Sequence, residues 1–311
     1  MSGSGGRGYF PSSSQDLRNR IEQARRDASR QRLDADVNGM LSALLAKYNA
    51  RDTDAISDHL DKLEETLSSE ANIERFLLGG SVGKHTFVDG LSDIDALVIL
   101  DSKNAREQSP GEILDSFHAR LAASLPRDKV AEVTKGRLAV TVKYRDGTEI
   151  QLLPALRRGN KVAISTEDGR QWNETKPKLF QKALSRANER LNHALVPTIK
   201  LVKGVMGDMP TQKQMTGYHV ESLALEVAKG YRGPKTVKSL LVHVLQEGAK
   251  RVLRPISDIT EQSRIVDAAL GAANSTRRRI LSDALSGVAR KLNSATTVDE
   301  WRAVLQPKEP R

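Results

Sequence analysis

Apolar residues recur every three or four positions from Leu17 to Tyr48. This spacing puts them on one helix face, so it predicts one long helix or two joined helices beginning at the capping residue Asp16. The same period predicts a second helix over Ile56–Leu67. Residues 1–15 are rich in glycine and serine and have no period, which predicts a flexible arm.

Short runs of branched apolar residues replace the helical period after residue 72. They predict strands, separated by a polar loop and a helix over Glu112–Leu125. The pair Asp146-Gly147 is a hairpin signal, and Pro154 is expected to end the last strand. The predicted strands cover Ile73–Leu78, Asp93–Leu100, Val130–Thr134, Arg137–Tyr144 and Thr148–Leu153.

Helical spacing dominates again from about residue 176. The predicted helices cover Lys178–Ala194, Pro197–Val205, Tyr218–Lys229, Thr236–Glu247, Ser263–Leu270, Thr276–Leu292 and Val298–Leu305. Together the patterns predict an α+β fold. A mixed sheet fills residues 71–175, a helical domain fills 176–311, and the helices of 16–70 brace both, with the functional site in the cleft between the two lobes.

Composition narrows the class of protein. The 311 residues are 38% hydrophobic, enough for a buried core, and no apolar run approaches the length of a membrane helix. The absence of cysteine excludes disulfides, thiolate metal sites and cysteine nucleophiles. The start of the chain lacks the apolar block of a secretory signal, so we expect a cytoplasmic protein with no membrane partner.

The net charge of +10 suits an anionic partner. Its conspicuous basic runs are Arg18–Arg32 and Arg277–Arg279. Such runs are either solvated helix faces with acidic neighbours or a surface that contacts nucleic acid.

A glycine-rich turn follows the first predicted strand. Gly79, Gly80 and Ser81 precede Lys84, a composition that lets backbone N–H groups and a hydroxyl approach phosphate oxygens. A Walker A loop is excluded, because that motif requires glycine where Leu78 stands and a hydroxyl residue directly after the lysine.

Asp93 and Asp95 are separated by one apolar residue at the start of a predicted strand. Residues two apart on a strand point to the same face, and two adjacent carboxylates repel each other unless a cation lies between them. The pair therefore predicts a site for two Mg²⁺ or Mn²⁺ ions, which take carboxylates together with substrate phosphates. The alternative is a solvated pair at the strand mouth.

The segment Leu78-Gly79-Gly80-Ser81, followed by Asp93-Ile94-Asp95-Ala96, resembles the signature of the polymerase-β-like nucleotidyltransferase superfamily. Within it the chain is similar to the bacterial cGAS/DncV-like nucleotidyltransferases (CD-NTases), which resemble oligoadenylate synthase. The weaker matches that extend the resemblance over about residues 70–270 include Gln151–Ala155, Ile199–Lys203 and Tyr218–Glu221.

The resemblance implies template-independent joining of nucleoside triphosphates, NTPs or dNTPs, into a cyclic or linear oligonucleotide second messenger, with release of pyrophosphate. It also implies a role in bacterial anti-phage defence and a separate effector protein that responds to the product. Two alternatives stay open: an enzyme that adds nucleotides to RNA ends, and a catalytically degenerate sensor of nucleotides or nucleic acid.

The third carboxylate departs from the family pattern, because Gln151 stands where the family usually has aspartate. A glutamine carbonyl can ligate a hard cation but carries no charge and accepts no proton. Glu149, two residues earlier on the predicted strand, is the other candidate for this position.

The resemblance also implies four residues that contact the nucleotide besides Gly80 and Ser81. Lys200 and Lys203 are neighbours on a predicted helix and would reach the triphosphate from the helical half. Lys84 would reach it from the turn, and Tyr218 would stack on a base. The alternatives are surface lysines and a core tyrosine.

Overall fold

The computed structural model describes residues 14–306 except 51, 69–72, 90, 92, 101–107, 159–160, 167 and 261–262. Most of the predicted flexible arm therefore lies outside the described residues. Its last two residues, Ser14 and Gln15, begin the first helix.

The first helix is continuous. Helix α1 spans Ser14–Tyr48, and its buried residues all lie between Val37 and Tyr48. Its first two turns leave Leu17 and Ile21 about half exposed, at 50% and 45%. The C-terminal part of α1 joins the core of the helical half, whereas helix α2, Thr53–Ser68, joins the core beneath the sheet.

The described strands form a seven-stranded mixed sheet. They are β1 Ile73–Leu78, β2 Ile94–Leu100, β3 Val130–Lys135, β4 Val140–Tyr144, β5 Glu149–Arg158, β6 Lys161–Ser165 and β7 Trp172–Thr175. The order is β1-β2-β5-β4-β3, and β6 pairs with both β5 and β7. Strands β2 and β5 are parallel, and the other pairs are antiparallel.

Strand β5 is longer than the sequence predicts, because it continues through Pro154 to Arg158. Pro154 cannot donate a ladder hydrogen bond. It is tolerated because the pairing of β5 with β4 ends at Leu152 and its pairing with β6 begins at Ala155. The prediction that Pro154 ends the strand was therefore wrong.

Helix α3, Pro110–Ser124, packs beneath the sheet together with α2, and the later helices form the helical half. Helix α3 begins with a capping box between Ser109 and Glu112. The later helices are α4 Pro177–Arg190, α5 Leu195–Gly207, α6 Gly217–Ala228, α7 Val237–Arg251, α8 Thr276–Ser294 and α9 Val298–Leu305. None of the helices in the described ranges has the length and apolarity that crossing a membrane requires.

Two of the predictions for the helical half were wrong. A helix over Ser263–Leu270 does not form, since only Ala268–Leu270 adopts a short 3₁₀ turn. Arg278, in the basic run at the start of α8, is 0% exposed rather than solvated. It donates to Asp267 at 2.6 Å and to the carbonyl of Val252 at 2.9 Å, so it ties the 252–271 segment to α8.

Candidate active site

Asp93 and Asp95 lie where β2 begins, on the face of the strand opposite to its buried residues. Ile94 and Ala96 between and beside them are buried at 2% and 0% exposure, whereas Asp93 is exposed. Burial raises the pKa of the Asp95 carboxyl, and the negative charge of Asp93 raises it further. The two carboxylates are therefore close enough to repel each other, as the sequence predicts.

The turn from Gly79 to Thr86 wraps around the Asp95 side chain. Gly79 N donates to Asp95 O at 2.7 Å, and the backbone N–H of Ser81 donates to the Asp95 carboxylate and opposes the rise in its pKa. Gly80 has φ +49°, and a Cβ at this position would lie 1.6 Å from Asp95 Oδ2. Only glycine therefore lets the turn approach this carboxylate.

The third position of the site is held by Gln151. Strands β2 and β5 pair in parallel with Asp95 opposite Gln151, and Gln151 Nε2 donates to Asp93 Oδ2 at 2.7 Å. Glu149 lies 3.7 Å from the ammonium of Lys143 on β4. The structure thus brings Gln151 into contact with the acid pair, and it gives Glu149 a basic partner on the neighbouring strand.

Lys84 lies at the end of the turn and faces the helical half. Its ammonium contacts the carboxylate of Glu221 on α6 and lies 5.0 Å from the ring centroid of Tyr218. Its positive charge lowers the pKa of Asp95, which places it near the acid pair. Lys84 therefore connects the turn beside the acid pair to α6 of the helical half.

Lys203 is buried behind Lys84. It is 5% exposed, and its ammonium donates to Glu221 at 2.7 Å and to the carbonyl of Thr86 at 2.9 Å. Burial lowers the pKa of Lys203, an effect that the charge of Glu221 opposes. Lys203 thus holds the end of the Gly79–Thr86 turn (the phosphate turn) from the helical side.

The remaining predicted residues have protein partners. Lys200, also 5% exposed, donates to Asn49 and lies 4.1 Å from the ring centroid of Phe87. The hydroxyl of Tyr218 donates to Asp258 at 2.7 Å, and burial raises the pKa of that hydroxyl. Lys200 is therefore linked to the N-terminal helix, whereas Tyr218 lies at the cleft beside Lys84.

Sequence patterns alone did not single out Glu221 and Thr86 as site residues. Glu221 is 1% exposed and Thr86 is 0% exposed. The available signal was an acid within the mostly apolar helix segment Val220–Leu225. A carboxylate among buried apolar residues is costly unless it has cationic partners, which here come from distant parts of the chain.

The donor set fits a magnesium site. It offers the carboxylates of Asp93 and Asp95, which repel each other, and the amide of Gln151 on the neighbouring strand. Mg²⁺ prefers one or two carboxylates together with substrate phosphates. Across the part of the chain that the structure describes, no group of three or more His, Cys, Asp or Glu side chains is suited to hold a metal ion. The acid pair therefore needs oxygens from a substrate to complete a coordination shell.

Comparisons with known proteins agree with this fold. The Second Messenger Oligonucleotide or Dinucleotide Synthetase (SMODS) family model matches residues 36–188, from α1 to α4. The Cyclic AMP-AMP-AMP synthase of Escherichia coli (strain MS 115-1) is 32% identical over 116 residues. That segment is 35% of this chain and spans only 36% of the relative.

Solved structures share the fold over most of their length. Escherichia coli DncV in its 3′-deoxy GTP bound form has a TM-score of 0.61 at 14% identity, covering 95% of this chain and 90% of that one. The Bradyrhizobium diazoefficiens CD-NTase CdnG in complex with GTP has a TM-score of 0.60 at 13% identity, covering 80% and 88%.

The sheet order and the acid pair beside a glycine–serine turn define a polymerase-β-like nucleotidyltransferase fold. The match to the SMODS family model narrows the class, since residues 36–188 include the turn and both acids. Together these findings confirm the resemblance to the cGAS/DncV-like nucleotidyltransferases and the predicted α+β fold.

Proposed function

We propose that the chain is a template-independent nucleotidyltransferase that joins nucleoside triphosphates into a cyclic or linear oligonucleotide second messenger and releases pyrophosphate. The observation that carries the proposal is the packing of the Gly80 turn directly against the Asp95 carboxylate. This contact sets phosphate-binding backbone N–H groups beside two acids that favour divalent cations. A related synthase is described as making cyclic AMP-AMP-AMP, and solved relatives hold ATP or GTP.

Asp93 and Asp95 would hold two Mg²⁺ or Mn²⁺ ions, with Gln151 fixing the orientation of Asp93 through its 2.7 Å hydrogen bond. When bound, these ions supply positive charge to the phosphate oxygens and to the attacking hydroxyl. The backbone N–H groups and the hydroxyl of Ser81 would bind the β- and γ-phosphates of the donor.

Positioning and charge stabilisation account for most of the proposed catalysis. The acceptor 3′-hydroxyl attacks the α-phosphorus in line, the new phosphodiester forms, and the bond to pyrophosphate breaks. Gln151 cannot take the hydroxyl proton. The hydroxyl proton leaves to solvent water, because both acids of the pair would be occupied as metal ligands.

The substrate is also contacted from the helical half. Lys84 would bind the donor triphosphate, and Lys203 would add positive charge from behind it. Tyr218, at the cleft, would stack on a nucleobase. Lys200 remains a candidate for the same role as Lys203, acting from its contact with Asn49.

We propose that the reaction takes place in the cytoplasm, where nucleoside triphosphates are available, and serves anti-phage defence through a separate effector protein. One solved relative is a CdnC:HORMA complex, so a protein partner that controls activity is also proposed. The exposed basic part of α1, Arg18–Arg32, would supply contact with nucleic acid. Arg278 takes no part in such a contact, because it is buried.

One observation favours a second candidate. Gln151 occupies the position that faces the acid pair, and its amide is uncharged. A chain that binds nucleotide without turnover, a degenerate sensor, is therefore the competing function. An enzyme that extends RNA ends is the other candidate, and incubation with RNA distinguishes it from the first.

The test incubates the protein with radiolabelled NTPs or dNTPs and Mg²⁺ or Mn²⁺, with and without RNA, and measures pyrophosphate and products. We expect pyrophosphate and small oligonucleotides without RNA, and loss of both in the variant Asp93→Asn/Asp95→Asn at unchanged circular dichroism. Extended RNA would favour the end-adding enzyme, binding without turnover would favour the sensor, and full activity of the variant would refute the site.

A further inference from the structure

A buried carboxylate connects the phosphate turn to the helical half. Glu221 on α6 is 1% exposed, and its partners Lys84 and Thr86 are 137 and 135 positions away in the sequence. Its third partner is Lys203 on α5, at 2.7 Å. One carboxylate thus joins the turn to two helices of the other lobe.

Two ammonium groups, those of Lys84 and Lys203, share the carboxylate of Glu221, and Asp95 supplies a second negative charge that interacts with both. The Lys203 side chain is 4% exposed, whereas the Lys84 side chain is 16% exposed. Lys84 is therefore the more accessible of the two ammonium groups.

We infer that Glu221 is a positioning residue that holds Lys84 in place for the triphosphate of the donor nucleotide. The inference rests on the proposed function, since that function puts a triphosphate in this cleft. A preorganised ammonium stabilises developing phosphate charge without a reorganisation cost when the substrate arrives. Thr86, bonded to the same carboxylate, keeps the last residue of the turn docked on α6.

Removing the negative charge has two consequences. In Glu221→Gln the ammonium groups of Lys84 and Lys203 lose the carboxylate that both contact, so their mutual repulsion is offset less. Lys84 then loses its fixed orientation. A purely structural role predicts lower stability alone, whereas a positioning role predicts loss of phosphate affinity that depends on the presence of Lys84.

The test measures binding of inorganic tripolyphosphate with Mg²⁺ by isothermal titration calorimetry, which needs no turnover. We expect Glu221→Gln and Lys84→Met each to weaken binding by about tenfold, the equivalent of one charge-assisted hydrogen bond. In the double variant the further loss should stay below about twofold, because both changes remove the same contact.

Glu226→Gln is the matched control. Glu226 lies on the same helix and faces two basic groups, Lys229 at 2.6 Å and Arg251 at 3.8 Å, away from the turn. Its replacement should leave the tripolyphosphate affinity unchanged. Wild-type affinity of Glu221→Gln, or losses that multiply in the double variant, would overturn the inference.

A second variant, Glu221→Asp, tests the inference if Glu221→Gln fails to fold. Glu221→Asp keeps the charge and withdraws the carboxylate by one methylene group, so weaker tripolyphosphate binding at an unchanged melting temperature supports the inference, and wild-type binding overturns it. If the wild-type protein forms no product yet binds tripolyphosphate in a Glu221-dependent way, the proposed function fails and the positioning role stands.

Discussion

The variant Gly80→Ala tests whether the geometry of the phosphate turn affects activity beyond its effect on the stability of the fold. The new Cβ would lie 1.6 Å from Asp95 Oδ2 and 2.4 Å from its Cγ. Reaching even the 3.0 Å limit of real Cβ contacts requires a shift of about 1.4 Å in the turn or the carboxylate. Misplacement of about 1 Å in a reacting centre costs about 100-fold in rate, so we expect a loss of that size in nucleotidyl transfer.

Backbone strain adds a smaller effect on stability. Alanine at φ +49° costs about 1–2 kcal/mol, which corresponds to a fall of a few degrees in melting temperature. Gly147→Ala is the matched control, because Gly147 has φ +90° and a Cβ there meets no atom within 4 Å. This control should lose similar stability and keep its activity.

The assay pairs pyrophosphate release with thermal unfolding for both variants. We expect both proteins to unfold a few degrees earlier than the wild type, and only Gly80→Ala to lose activity. Activity of Gly80→Ala equal to that of Gly147→Ala would refute the argument that contact between the turn and Asp95 sets the site.

Three further changes test other parts of the structure. Arg278→Met should lower stability by about 3–5 kcal/mol in thermal unfolding, because it leaves Asp267 buried without its cation. Burial lowers the pKa of His219 in the folded chain. As the pH drops below about 6.5, the unfolded chain therefore binds a proton that the folded chain does not bind, and the free energy of unfolding should fall. His219→Gln should flatten that pH dependence of the melting temperature. Gln151→Ala should reduce the rate of pyrophosphate release more than Glu149→Ala, since Gln151 alone of the two donates to an acid of the site.

For each of these three predictions, one outcome would contradict the expected result. An unchanged melting temperature of Arg278→Met would show that the buried ion pair does not stabilise the fold. An equally steep acid limb in His219→Gln would assign the pH dependence to other groups. A larger activity loss in Glu149→Ala would make Glu149 the third carboxylate in place of Gln151.

The part of the site that is local in sequence could be predicted from the residues. Alternation along one strand places Asp93 and Asp95 on the same face, and the glycines mark a turn with an unusual backbone. These inferences need no knowledge of distant contacts. The run of branched apolar residues likewise predicts a buried strand, and β2 spans Ile94–Leu100 in the structure.

The contacts between the lobes could not be predicted in this way. Glu221 meets Lys84 only when the helical half folds against the turn, and no spacing rule connects residues 137 positions apart. The burial of Arg278 is likewise invisible to sequence patterns, since its acceptors lie 6 to 26 residues earlier within the helical half. Strands β6 and β7 were missed because they are short, with five and four residues.

The central claim is that Asp93 and Asp95 together hold divalent cations against the phosphate turn. Titration of Mn²⁺ followed by electron paramagnetic resonance, in the presence of a non-hydrolysable ATP analogue, measures this without turnover. We expect about two bound ions per chain in the wild type and loss of that binding in Asp93→Asn/Asp95→Asn. Equal Mn²⁺ binding by the two proteins would contradict the assignment of the site.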